Sequence, residues 1–224
     1  MASENWLLLL LWGTLVGLDL IAVPQVMIAR PLVAGLVAGF IAGDPMAGAA
    51  VGMVLELFAL EVLPFGAARY PDYGLGAVAG AIVAAGAPTV VAVGIAVGVG
   101  LGVAVLGDVG IQTVRRFNTA DLSRHRAQID AGERRAIVGL HLRCLSREAI
   151  RAVGLTSLGL GCAAVVHSVS FMDLRSAVAL HAAVIGVGVG AFASNAVRLA
   201  RFRRQQLAWL GVGVMAGFAW VMFT

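Results

Sequence analysis

Apolar residues fall in long blocks broken by isolated charges and prolines, and each block has the length of a membrane helix or of half of one. A helix needs about 20 apolar residues to cross the roughly 30 Å hydrocarbon layer. The first block, residues 6–28, is interrupted by Asp19 and Pro24. Residues 31–42 form a second block, too short to cross alone, which ends at Gly43-Asp44-Pro45. Residues 46–63 carry Glu56 and Glu61 and lead into a loop over 64–73. A long apolar stretch, 74–106, has Pro88 at its middle and predicts two segments. Residues 112–151 are polar and helix-compatible, and spans at 152–169, 176–197 and 205–223 close the chain.

This pattern predicts an all-α integral membrane protein: a polytopic helical bundle with broken helices and re-entrant hairpins in its N-terminal half. Short segments ending in Asp-Pro belong at membrane depth only where protein or a water-filled cavity satisfies their backbone. We read residues 1–224 as one membrane domain with a transport region (1–106), an arginine-rich cytoplasmic region (107–151) and three closing helices (152–224).

Composition removes the soluble alternative. Hydrophobic residues make up 60% of the 224 positions and charged residues 12%, with a mean hydropathy of +0.95. A soluble domain carries about a quarter charged residues. The net charge of +4 is no nucleic-acid signature. All 16 basic residues are arginine, with nine in 115–151 and four in 198–204, each group beside apolar spans. That is the positive-inside pattern, and two spans separate the groups, so both face the cytoplasm. Cys144 and Cys162 lack metal-ligand spacing and read as free thiols. The histidines at 125, 141, 167 and 181 show no metal spacing either, so no metal or cofactor is expected. The N-terminal run lacks a basic n-region and reads as a retained membrane segment rather than a signal peptide.

Glycines recur every four residues at 35, 39 and 43, at 48 and 52, and at 94, 98 and 102. That spacing places them on one helix face, where backbones approach closely; the sharper reading is a smooth face along which one bundle slides past another.

The candidate chemistry lies within the first 72 positions. A charge at the bilayer centre costs roughly 3 kcal/mol on insertion scales, so Asp19 and Glu56, deep in apolar runs, should face a cavity or a partner. Gln25 and Asp72 carry the amide and carboxylate groups that engage sugar hydroxyls, and Asp72 follows Pro71 in a loop whose rigid turn could present it. Arg30 and Asp44 bracket the short second segment and fit a structural role in holding a hairpin.

The series Gln25 to Arg30-Pro31 and Gly35, then Gly39-Phe-Ile-Ala-Gly43-Asp44, Gly48 and Gly52, Leu55-Glu56-Leu57, Pro64-Phe-Gly66-Ala67 and Pro71-Asp72 resembles one known pattern. It is similar to the IIC membrane component of mannose/fructose/sorbose-class phosphoenolpyruvate-dependent sugar phosphotransferase systems. The resemblance covers roughly residues 19–72; beyond residue 74 it is one of hydropathy and helix order. The chain departs from the pattern in having a single proline before Asp72 and in Glu61. The resemblance implies a transport subunit in the bacterial inner membrane that is not itself an enzyme. It implies a IID membrane partner, IIA and IIB phosphocarrier subunits, and a homotrimer of IIC–IID units. It also implies a hexose-type sugar bound on broken helices by Gln25, Glu56 and Asp72, with Asp19 next, and moved inward by an elevator-like motion. Two other readings of the same residues stay open here: an ion-coupled secondary transporter using Asp19 and Glu56, and a non-transporting scaffold of the same fold.

Overall fold

The computed structural model describes residues 5–60, 69–85 and 89–168, with the side chains of 89–92 left aside, and scattered positions between 178 and 215. All of it is helix and connection. The order is α1 Trp6–Ile21, α2 Pro31–Ala42, α3 Pro45–Ala59, α4 Tyr73–Ala84, α5 Thr89–Arg124, α6 Arg126–Asp130 and α7 Arg134–Ser168. Glu61, the Pro64–Ala67 part of the motif and most of the last two expected spans lie outside the described residues.

The expected break at Pro88 separates α4 from α5, and the second apolar block is α2 with unchanged limits. Several boundaries differ from the hydropathy reading. α1 stops at Ile21 rather than continuing to 28, because Pro24 cannot continue the helix and Asp19 recruits the backbone beyond it. α5 and α7 run on through the arginine-rich region, which consists of their extended ends joined by α6. At 1.5 Å per residue, α5 and α7 are each about 50 Å long, roughly 20 Å more than a hydrocarbon layer. α1 to α4 measure only about 18–24 Å on the same rise. The second block is thus present as the expected short helix, and α1, α3 and α4 are likewise shorter than the hydrocarbon layer is thick.

α2 and α3 form an antiparallel hairpin. Pro31 and Pro45 occupy first-turn positions, where a missing N–H costs nothing. Gly43 ends α2 at φ +95°, a left-handed conformation suited to glycine, and its N–H donates to the closing carbonyls of α2. Asp44 then caps α3 by accepting from the Ala47 N–H at 2.9 Å. Between the helices the contact is backbone on backbone: a Cβ on Gly35 or Gly39 would fall under 3 Å from Gly48 or Asp44 main-chain atoms. Gly35 and Gly39 thus face Gly48 and Gly52 inside one hairpin. Gly98 and Gly102 of the third glycine series face open space.

α4 is the centre of the bundle. Every residue from Gly74 to Ala84 is buried, and the helix packs against α1, α2, α3, α5 and α7. Gly76 lies on the Gly100 carbonyl of α5, and Gly17 of α1 lies on Ala152 of α7. An all-round apolar helix of small residues is what such a position requires.

The overhanging ends of α5 and α7 are clasped by charge. Arg147 donates to Asn118 Oδ1 at 2.9 Å and to the Asp121 carboxylate, with Arg143 and Arg124 also within 4 Å of that carboxylate. Arg147 also lies over the Phe117 ring at 6.0 Å. Asp121 is more than ten residues past the apolar part of α5, well outside the hydrocarbon layer. The hydrogen bond from Arg147 holds its carboxyl below the ordinary value of 3.8. A carboxyl with a depressed folded pKa contributes stability above its unfolded value and loses it as pH falls through the folded one. The melting difference between wild type and Asp121→Asn should therefore stay constant from about pH 7 to pH 5 and shrink only below about pH 4. A difference already shrinking near pH 6 would rule out the clasp as the source.

Candidate functional site

Where α1 ends, the chain makes an irregular turn around one carboxylate. Asp19, 3% exposed, accepts from the Val26 N–H through Oδ1 at 2.6 Å and from the Ala29 N–H through Oδ2 at 3.0 Å. The turn between contains a cis Val23-Pro24 bond and two non-glycine residues with positive φ, Gln25 at 57° and Met27 at 70°. Residues rarely adopt this region, and they hold it where surrounding structure over-determines it. Here the Asp19 bonds do so.

The turn forms one wall of a cavity of about 530 Å³. Asp19, Gln25 and Arg30 supply polar groups, Tyr70 and Tyr73 supply aromatic faces, and Ala59 closes the α3 side. Volumes of roughly 300–1,000 Å³ with a few convergent polar groups are typical of small-molecule sites. Four helix ends meet here: the C-terminal ends of α1 and α3 and the N-terminal ends of α2 and α4. The Asp72 N–H donates to the Ala104 carbonyl at 2.9 Å, which sets the cavity toward the arginine-rich end of α5.

Glu56 stands beside this cavity. Its carboxylate pairs with Arg30 and accepts from the Leu32 N–H at 3.1 Å, binding the end of α3 to the start of α2. Arg30 therefore links the ion pair to the cavity wall. Asp44 is at the opposite, tip end of the hairpin. There Asn5 Nδ2 of the chain entering α1 reaches the Ile41 carbonyl at 2.7 Å.

Asp72 is fully buried behind the Tyr70-Pro71 wall, and both of its oxygens are engaged. Oδ1 caps α4 by accepting from the Leu75 N–H at 3.1 Å, and Oδ2 accepts from Arg151 Nη1 at 2.7 Å. Arg151 also donates through Nε to Glu148 Oε1 at 2.6 Å. Arg151 and Glu148 fall in the arginine-rich region expected to face the cytoplasm, yet their side chains are only 6% and 3% exposed. The one local signal was their i, i+3 spacing at the onset of an apolar run. Tyr70 and Tyr73 were missed because a loop aromatic beside a proline carries no periodic signal. Of the six residues singled out, Asp19, Gln25 and Arg30 come together at the cavity; Glu56 and Asp72 each sit one residue behind it, and Asp44 is remote.

The family description "PTS system sorbose-specific IIC component" matches residues 5–173, three quarters of the chain. The chain belongs to the sorbose-specific IIC family. A curated relative, the sorbose-specific EIIC component of the phosphotransferase system from Lacticaseibacillus casei, is 38% identical over 69 residues. That alignment takes in 31% of this IIC chain and spans about a quarter, 24%, of the relative. Among solved structures, one described as a membrane protein superposes with a TM-score of 0.73 at 19% identity, covering 100% of this chain and 96% of that one. A second, the mannose transporter ManYZ in complex with microcin E492, gives a TM-score of 0.60 at 20% identity, with 100% and 88% covered. At those identities the likeness is one of fold, and it supports the all-α membrane bundle that hydropathy predicted.

Proposed function

We propose that this IIC chain is the sugar-translocating subunit of a mannose/sorbose-class phosphotransferase system. It binds a hexose-type sugar in the cavity between α1, α2, α3 and α4 and releases it inward for phosphorylation by IIA and IIB. The observation that carries this reading is the Asp19-ordered turn, which fixes Gln25 at the wall of a cavity that also presents Asp19, Arg30 and two tyrosines. Amide, carboxylate and guanidinium groups pair with hydroxyls, and tyrosine faces pack on the apolar face of a sugar ring. In this reading Gln25 and Asp19 contact the sugar. Glu56, through Arg30, and Asp72, through its cap on α4, position the walls. A IID subunit is the natural membrane partner, and a trimer of IIC–IID units in the inner membrane is the assembly expected of the system.

The test is direct. Purified chain with its IID partner should bind sorbose or mannose, and Gln25→Ala should weaken binding about tenfold, the equivalent of one hydrogen bond worth roughly 1.4 kcal/mol. Asp19→Asn, which exchanges one acceptor for a donor facing a backbone N–H, should weaken it at least as much. In cells the sugar should accumulate as its phosphate ester only when phosphoenolpyruvate and the phosphocarriers are present. Uptake of unmodified sugar driven by an ion gradient would instead establish a secondary transporter.

A further inference from the structure

A second cavity, of about 290 Å³, lies on the other side of the same turn. Leu20 and Gln25 line the first cavity, whereas Ile21 and Val23 line the second, so the connection after α1 partitions the two. The opposite walls come from the overhanging parts of α5 and α7: Arg115 and Asn118 from one, His141, Cys144 and Glu148 from the other.

One atom there is unexplained. Glu148 is 2% exposed; its Oε1 is taken by Arg151, but its Oε2 is buried without any hydrogen-bond partner. A buried carboxylate oxygen without a donor costs more than most lost contacts, and in native structures such a group marks a missing partner. The surrounding groups restrict what the partner is. A phosphate or other anion would meet the Glu148 carboxylate, and a metal cation would meet Arg115 and Arg151. A neutral ligand with several hydroxyls satisfies both signs, donating to Glu148 Oε2 and accepting from the cationic side. Asn118 already accepts from Arg147 through Oδ1, which turns its amide nitrogen into the group left for a ligand.

We infer that this cavity is a second binding site for a free, uncharged polyol: a staging site between the first cavity and the arginine-rich end, with Glu148 Oε2 as its principal acceptor. This rests on the sugar-translocating reading above. The sugar would leave the first cavity past the turn held by Asp19 and pause against α5 and α7 before release.

Cys144, half-buried in the wall, reports on occupancy without any added label. The chain with its IID partner would be placed in lipid nanodiscs as Cys162→Ala, and the rate of Cys144 alkylation by N-ethylmaleimide followed by mass spectrometry with and without mannose or sorbose. A second variant, Ala59→Cys with both native cysteines replaced by alanine, reports on the first cavity in the same way. At sugar about ten times its Kd, mass action leaves roughly a tenth of sites open, so both thiols should react about tenfold more slowly. Glu148→Gln, which turns the orphan acceptor into a donor at unchanged shape, should abolish protection at Cys144 and leave it intact at the Ala59→Cys thiol. Asn118→Leu should do the same if Glu148→Gln fails to fold. Protection at the Ala59→Cys thiol alone, or protection of Cys144 that survives both substitutions, overturns the second site and leaves the translocation reading standing. Protection at neither thiol overturns both.

Discussion

Arg151→Ala should destabilise the described part of the chain by about 3–5 kcal/mol. Arg151 is the only residue that hydrogen-bonds both Asp72 Oδ2 and Glu148 Oε1 among the described residues, and all three side chains are at least nine-tenths buried. Removing it leaves two buried carboxylates facing each other without the guanidinium they share. The loss concerns this uncompensated charge, so the remedy is to remove the carboxylates too. Arg151→Met combined with Glu148→Leu and Asp72→Asn should recover most of the stability, because an asparagine amide oxygen still caps α4 and no charge remains. Thermal unfolding of the purified chain, followed by loss of the monodisperse peak on size exclusion, measures both. An Arg151→Ala midpoint equal to wild type, or a triple variant no better than the single one, would show that solvent reaches the cluster.

Gly48→Leu is expected to prevent assembly of the α2–α3 hairpin. A Cβ at Gly48 would collide with the Gly35 carbonyl and the Gly39 Cα, and these are main-chain atoms that no rotamer change can move aside. Overpacking a well-packed core costs roughly 1–3 kcal/mol even where side chains can give; here the two helices must separate, and the Arg30–Glu56 pair at their far end would open with them. Gly98→Ala and Gly102→Ala are the controls. A Cβ at either meets nothing within 4 Å, and alanine favours helix over glycine by up to about 1 kcal/mol. Those variants should keep the wild-type midpoint or rise above it, while Gly48→Leu yields aggregated protein. Equal behaviour of the Gly48 and Gly98 variants would refute the backbone contact.

Local signals in the sequence were enough for the hairpin and for the break before α5. Pro31, Gly43-Asp44-Pro45 and Pro88 are signals that act within one or two residues of themselves, and Pro31, Gly43, Asp44 and Pro45 each sit where their own conformational limits place them. The same locality explains the misplaced boundaries. Hydropathy ends α5 near residue 106 because polarity rises there, but a helix continues as long as its backbone bonds are made, and overhang beyond the membrane satisfies polar side chains. The partner of Asp72 was out of reach for a different reason: Arg151 is 79 positions away, and nothing in either neighbourhood encodes the pairing. Gln25 was recognised by its chemistry beside Arg30-Pro31. Its left-handed backbone depends on Asp19 reaching across to Val26 and Ala29, a consequence of tertiary geometry that no periodicity carries.

The hairpin also has a mechanical character that follows from its glycines. Side chains between two helices act as a compliant layer, whereas α2 and α3 touch through main-chain atoms and are fastened at the base by Arg30 and Glu56 and at the tip by Asp44. Such a pair behaves as a stiff plate with no internal shear. Any tilt that moves Arg30 and Ala59 at the cavity must be matched at Gly43, about 18 Å along α2. A probe placed at that tip would register the filling of the cavity as a lever arm registers motion at its pivot.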